Sequence, residues 1–231
     1  MKPLDYFYDN PINRGRGTPR IFDHILAGLL RVLFTPAFRL KTRGAEHIRD
    51  LDEGLILAGN HRSYLDPLFP MMALRPRTIR FIGKEEFFKI KGVRRLASWV
   101  GVYPVKRAAA DLKVVKRSVA MLKRGELVGI FPEGTRGRGE EIVEGEREVH
   151  EGVALIANLA RARVVPFRLW NTEKISPEGS RRWHFPTVKL TFGEPLSLAD
   201  PAYAELEKAE KLERFTRDIM TAIYALPEPE Q

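Results

Sequence analysis

Two short blocks about seventy residues apart hold the side chains best suited to chemistry: Asn60-His61-Arg62-Ser63-Tyr64-Leu65-Asp66-Pro67 and Phe131-Pro132-Glu133-Gly134-Thr135-Arg136. The first offers a base and a carboxylate to orient it. The second sets an always-charged Arg beside a Glu on a glycine-containing turn. His61 and Asp66 are five residues apart. On a regular helix such positions diverge by about 140° around the axis and about 7.5 Å along it, so the side chains meet only if the segment turns. Asn60, Ser63 and Pro67 favour a turn followed by a helix start, with Asp66 in the N-cap position ahead of Pro67. A carboxylate bonded to one ring nitrogen would hold a neutral imidazole in a single tautomer, its other nitrogen free to take a proton. Taken alone, the same spacing also fits a satisfied structural pair.

Glu133-Gly134-Thr135-Arg136 follows directly on an apolar run and a proline, and strand ends are where α/β sheets place ligands. Arg136 suits a bidentate grip on phosphate, Gly134 admits close backbone approach, and Glu133 can fix a hydroxyl or the arginine. A turn with a local Glu–Arg pair would look the same. Lys106-Arg107, closing the run Gly101–Arg107, would be a second anion grip or plain surface charge. Other chemistries lack their signatures: there is no G-x-S-x-G, P-loop, H-E-x-x-H or G-x-G-x-x-G. His24, His47, His150 and His184 are scattered and suggest no metal cluster.

The elements that must position these blocks alternate. Leu55–Ala58, Thr78–Ile82, Val102–Val105, Leu127–Phe131, Val164–Trp170 and Val188–Phe192 read as strands. A helix starts at Pro67, and others run over Asp111–Lys123, Val153–Arg161 and Glu205–Leu226. Residues 171–187 read as a long loop, and the Glu-rich stretch 139–151 as an exposed loop entering a helix. This alternation implies an α/β fold, a sheet flanked by helices. Ahead of it, residues 1–19 read as an extended arm. Ile21 to Phe38 then forms an apolar helical stripe, interrupted by Arg31 and Pro36, too short to span a bilayer. With Arg20, Arg31, Arg39, Lys41 and Arg43 around it, the stripe reads as an amphipathic in-plane membrane helix; an ordinary helix packed on the core is the alternative. The expected organisation is residues 1–40 as arm and membrane-associating helix, and 41–231 as the α/β domain.

With 231 residues and 44% apolar composition the chain can bury a proper core. It has no Cys, which excludes disulfides and thiolate metal sites and fits a reducing compartment. The N-terminus shows no signal-peptide pattern. The net charge of +9 is uneven: residues 75–124 hold fifteen Lys and Arg against three Asp and Glu. Such a block suits an anionic partner. No nucleic-acid-binding signature accompanies it, so no nucleic acid is expected.

In order and spacing the blocks resemble the glycerolipid acyltransferases, in particular the bacterial 1-acyl-sn-glycerol-3-phosphate acyltransferases, over roughly residues 40–200. Asn60, His61-x4-Asp66 and Pro67 match the family's catalytic motif. Val105-Lys106-Arg107 matches its second block, Phe131–Arg136 its third and Val164-Val165-Pro166 its fourth. Lys106 stands where an acid often precedes the Arg, and Glu151 replaces the usual basic residue before Gly152. The resemblance implies acyl transfer from an acyl-CoA or acyl carrier protein thioester, with no metal or prosthetic group, to the sn-2 hydroxyl of lysophosphatidic acid, giving phosphatidic acid. It further implies His61 as general base, Asp66 as its orienter, and Arg107 and Arg136 on the glycerol phosphate with Lys106 beside them. Glu133 would position the glycerol end, while Gly134 and Thr135 shape the turn. The implied fold is a mixed sheet flanked by helices, with an N-terminal membrane-binding element. The implied partners are a lipid substrate, the thioester carrier and an anionic membrane surface, at the cytoplasmic face of the cell membrane. Acylation of another acceptor (glycerol-3-phosphate, a different lysophospholipid or a lyso-aminolipid) is the nearest alternative. A non-catalytic lipid-binding membrane protein is the rival from another class.

Overall fold

The computed structural model describes residues 28–29, 32, 34–49, 51–74, 79–84, 102–105, 112–133, 152–177 and 182–230. The strands are β1 (Lys41–Arg43), β2 (Ile56–Gly59), β3 (Ile79–Lys84), β4 (Tyr103–Val105), β5 (Leu127–Ile130), β6 (Val164–Trp170) and β7 (Lys189–Phe192). The helices are α1 (Glu46–Arg49), α2 (Leu68–Ala73), α3 (Leu112–Leu122), α4 (Gly152–Ala160) and α5 (Lys208–Ala225). The seven strands form one sheet in the order β1-β7-β6-β2-β5-β3-β4. β6, β2, β5, β3 and β4 run parallel, β7 runs antiparallel to β6, and β1 runs parallel to β7. The sheet is therefore mixed, as the resemblance implied.

Side-chain alternation along the strands divides the core in two. On one face Leu55, Leu57, Leu127, Val165, Phe167 and Leu169 pack with α1, α2 and Phe38. On the other, Ile56, Ala58, Val128, Ile130 and Val164 pack with α3, α4 and α5. Because both faces are covered, the central strands read as continuous apolar runs in the sequence. α5 buries Leu212, Phe215, Ile219 and Ile223, one face at helical spacing.

Three details differ from expectation. β1 and α1 were not anticipated: β1 is Lys-Thr-Arg and exposed throughout, so it carries no apolar signal and exists through pairing with β7. The last helix begins at Lys208, later than expected, after a short 3₁₀ turn at Pro201–Tyr203 whose cap, Asp200, accepts from Ala202 N at 2.9 Å. The stripe divides. Residues 34–38 are helical, and Phe38 is fully buried, its ring 5.5 Å from that of Phe69. Phe34 and Ala37 pack on the same core. This end belongs to the core and not to a lipid face, because β1 joins the sheet edge three residues later and draws Phe38 over it. Leu29 and Val32, one turn and more upstream, are exposed. Residues 1–27 and the rest of the stripe lie outside the described residues, as do the stretch 139–151 and most of the basic block. Among the described residues no helix is long and apolar enough to cross a membrane.

Candidate active site

β2 and β5 are neighbours and parallel, so the residues that follow them emerge at the same edge of the sheet. His61 follows β2 by two positions, and Glu133 follows β5 by three. Between their outer neighbours the strand order reverses: β2 connects through α2 to β3 on one side, while β5 connects onward to β6 on the other. Such a switch point leaves a crevice at the carboxyl ends of the strands.

Asn60 fixes how the chain leaves β2. The backbone ladder to β6 ends at Gly59 opposite Phe167. Beyond it, the Asn60 amide takes over: Nδ2 donates to Leu169 O at 2.9 Å and Oδ1 accepts from Leu169 N at 2.8 Å. One buried side chain thus extends the sheet by a residue and sets the direction in which His61 departs.

The chain then turns, and Asp66 faces back into the turn. Its Oδ2 accepts from His61 Nδ1 at 2.9 Å, from Arg62 N at 2.6 Å and from Ser63 N at 2.7 Å. The Asp66 side chain is fully buried and that of His61 is 18% exposed. Since a carboxylate only accepts, a neutral His61 ring in this contact has its proton on Nδ1 and its lone pair on Nε2. Asp66 Oδ1 is buried and has no hydrogen-bond partner among the described residues. The expectation that Asp66 caps the following helix is corrected. The N-cap is Pro67, with no side-chain cap, because the contacts of Asp66 Oδ2 with His61 and the two amides turn the carboxylate away from the helix start.

Phe131 holds the imidazole from one side, its ring 4.2 Å from that of His61 and tilted by 16°. Phe131 in turn stacks on Phe81 at 5.5 Å and meets Phe167 edge-on at 6.0 Å. The aromatic layer lies flat on two glycines. A Cβ at Gly59 would stand 2.3 Å from the Phe167 ring, and one at Gly129 2.3 Å from the Phe81 ring. These positions need glycine for space.

Glu133 is buried and accepts a hydrogen bond from the Tyr224 hydroxyl on α5. Arg168 of β6 holds Tyr224 in place, donating to its backbone oxygen. The Arg168 guanidinium lies 5.1 Å from the Trp170 ring and 5.2 Å from the Tyr224 ring. Sequence reasoning gave Tyr224 and Arg168 no part, and no local signal ties Tyr224 to Glu133, 91 positions away. Phe131 lay inside a recognised block, but its stacking role is set by folding.

The structure thus brings His61, Asp66 and Glu133 to one edge. Lys106, Arg107, Gly134, Thr135 and Arg136 lie outside the described residues. An imidazole whose Nε2 has no partner among the described residues, backed by a buried carboxylate and reached from solvent, is equipped to take a proton from a hydroxyl.

A mixed α/β sheet with this His–Asp pair at the end of a central strand defines the class, and the chain belongs to the acyltransferase family, whose sequence model matches residues 39–170. A 1-acyl-sn-glycerol-3-phosphate acyltransferase of Bacillus subtilis is 28% identical over 200 residues, covering 87% of this chain and 94% of the relative. A chloroplastic 1-acyl-sn-glycerol-3-phosphate acyltransferase of Arabidopsis thaliana is 30% identical over 164 residues, covering 70% of this chain and 44% of that one. The crystal structure of a 1-acyl-sn-glycerophosphate acyltransferase from Thermotoga maritima shares the fold, with a TM-score of 0.64, 21% identity, and coverage of 96% of this chain and 95% of that chain.

Proposed function

We propose that this acyltransferase moves a fatty acyl group from a thioester to the sn-2 hydroxyl of 1-acyl-sn-glycerol-3-phosphate, giving phosphatidic acid for phospholipid synthesis. The observation that carries the reading is the 2.9 Å contact of His61 Nδ1 with the buried Asp66 carboxylate. It leaves Nε2 as the base, on a chain whose relatives bear that activity in their names.

His61 Nε2 takes the hydroxyl proton as the oxygen bonds to the thioester carbonyl carbon. The tetrahedral adduct then collapses and breaks the C–S bond, and the departing sulfur takes the proton back from the imidazolium. Asp66 stabilises that imidazolium without itself taking the proton. The thioester is already activated, so the reaction calls for no metal or prosthetic group. Acyl-CoA and an acyl carrier protein both present this bond. Glu133, held by Tyr224, positions the glycerol end. Arg107 and Arg136 take the phosphate, with Lys106 adding charge and Gly134 and Thr135 completing the acceptor site. Peripheral attachment at the cytoplasmic face of the membrane would place this chemistry where both the lipid and the thioester carriers meet.

An acyl-transfer assay with purified protein tests the reading. Lysophosphatidic acid should be acylated in preference to glycerol-3-phosphate, other lysophospholipids and lyso-aminolipids, with both donor types tried. Preference for a different acceptor would move the substrate and keep the chemistry. No transfer to any acceptor would leave a lipid-binding protein. Arg107→Ala and Arg136→Ala should each raise the acceptor KM about ten- to a hundredfold, the value of a charge-assisted contact, and leave the donor KM nearly unchanged.

A further inference from the structure

The edge that carries His61 gathers exposed aromatic residues from separate parts of the chain. β6 ends at Trp170, at the same edge as β2, and the segment 171–188 spans from there to the start of the antiparallel β7. Since β1 runs parallel to β7, the chain before Lys41 approaches this edge too. Direct contacts join them: Val188 N donates to Phe38 O at 2.9 Å, Lys41 N to Val188 O at 3.0 Å, and Arg39 Nη2 to Phe185 O at 3.1 Å. The Phe185 ring lies 5.3 Å from that of Phe38.

At this edge Trp183 is 59% exposed and Phe185 54%, and Tyr64, in the turn beside His61, is 57%. Leu29 and Val32, upstream of Phe38, are 55% and 72% exposed. Two hydrogen bonds tie the segment's described parts together: His184 N donates to Ile175 O and Asn171 Nδ2 to Thr187 O, both at 2.9 Å. Residues 171–188 carry Lys174, Arg181 and Arg182 against Glu173 and Glu178, and Arg39 lies beside them on Phe185 O, a positive balance that favours an anionic surface. An open groove lined by Lys174, Pro177, His184, Phe185 and Pro186 sets a cation against an apolar wall, the pairing a lipid headgroup and its first methylenes would meet.

Resting on the acyl-transfer reading for why lipid should lie there, we infer that residues 182–186 form a second membrane anchor. In it Trp183 and Phe185 enter the interface of an anionic bilayer beside the N-terminal segment, so that the carboxyl edge of the sheet faces the lipid. Tryptophan suits this place, its body apolar and its N–H wet. Two contact regions on one rigid edge fix orientation as well as attachment. The catalytic His61 then opens toward the surface that holds a lysolipid.

The test uses Trp183 as its own probe. The full chain carrying Trp99→Phe and Trp170→Phe is titrated with vesicles of phosphatidylglycerol and phosphatidylcholine, with and without brominated acyl chains. Trp183 emission should shift to the blue and be quenched by the bromine. Trp183→Ser alone, and with Phe185→Ser, should lower partitioning by about tenfold per large apolar side chain withdrawn. Both should slow acylation of a vesicle-borne long-chain acceptor and leave a short-chain soluble acceptor unaffected. Unchanged emission with vesicles overturns the proposal. So does shielding of Trp183 from acrylamide in lipid-free protein, which would show that another part of the chain or a second copy covers it. Should no acceptor be acylated, the activity reading fails while the fluorescence still decides the anchor. Should transfer proceed with no quenching, the anchor fails alone.

Discussion

The His61 imidazole is held at three points: by Asp66 at Nδ1, by Phe131 across its face, and by the chain that Asn60 pins to Leu169. None of these occupies Nε2. His61→Ala should therefore fold normally, since the ring is a part-exposed lid on Phe131, and should lose about 10²–10⁴-fold in turnover. Circular dichroism with steady-state kinetics checks both halves, and substantial turnover in well-folded His61→Ala would exclude His61 as the base. Asp66→Asn should be comparably severe, because an amide offers its NH₂ to the imidazole and favours the wrong tautomer. Tyr224→Phe removes only the hydroxyl that fixes Glu133. If Glu133 positions the glycerol end, the acceptor KM should rise by about tenfold, the worth of a hydrogen bond to a charged group. The donor KM and the unfolding midpoint should barely move. An equal loss on both substrates would mean that the contact is structural.

At the scale of elements, the strands place their own ends. Gly59 and Gly129 let the Phe167 and Phe81 rings lie against the sheet and form the floor beneath Phe131. Gly59→Ala should thus cost about 1–3 kcal/mol, as overpacking does, and blunt activity by displacing that floor; urea unfolding and kinetics on one preparation would show both. On the opposite face Tyr103 of β4 is fully buried, 2.7 Å from Ser118 Oγ on α3. Ser118 gives its proton to Val114 O at 2.9 Å, so Tyr103 is the donor. Burial, outweighing the Ser118 hydrogen bond and nearby Arg117, pushes the Tyr103 phenol well above its ordinary value of 10.0. The neutral form is favoured in the folded state, so this contribution to stability is whole below that value and drains as pH climbs past it. Urea midpoints should fall above about pH 10, and Tyr103→Phe should flatten that fall. The central strands and long helices were legible in the sequence because local apolar patterning specifies them. β1 and Tyr224 were not: a Lys-Thr-Arg strand and a tyrosine at a helix end acquire meaning only from partners far along the chain. The His61–Asp66 pair was legible as a motif, while the turn closing it depended on amides that no residue type announces.

For the molecule as a whole, Phe38 joins the N-terminal segment to the sheet. Removing residues 1–40 would open the core along with any lipid contact, so the deletion that isolates membrane binding must stop before Phe34. Phe38→Ala should cost about 3–5 kcal/mol, the usual loss for a buried phenylalanine, measurable by urea unfolding without lipid. Leu29→Glu with Val32→Glu should leave that midpoint alone, because both side chains are exposed. It should nevertheless reduce sedimentation with anionic vesicles even at low salt. Added salt should weaken the part contributed by Lys and Arg and spare the apolar part. Equal pelleting of wild type and this double variant would make Leu29 and Val32 bystanders.

The Asn60 bridge gives the site a reporter of its own. The Leu169 amide proton sits near the end of a sheet strand, yet a side chain and not a neighbouring strand protects it. Its exchange with deuterated solvent therefore proceeds by release of Asn60, an opening smaller than dissolution of the sheet. In wild type that rate reads how often the chain carrying His61 swings free of β6. A bound acceptor that steadies His61 should slow exchange at Leu169 while its neighbours in the ladder keep their rates, and Asn60→Ala should abolish the difference.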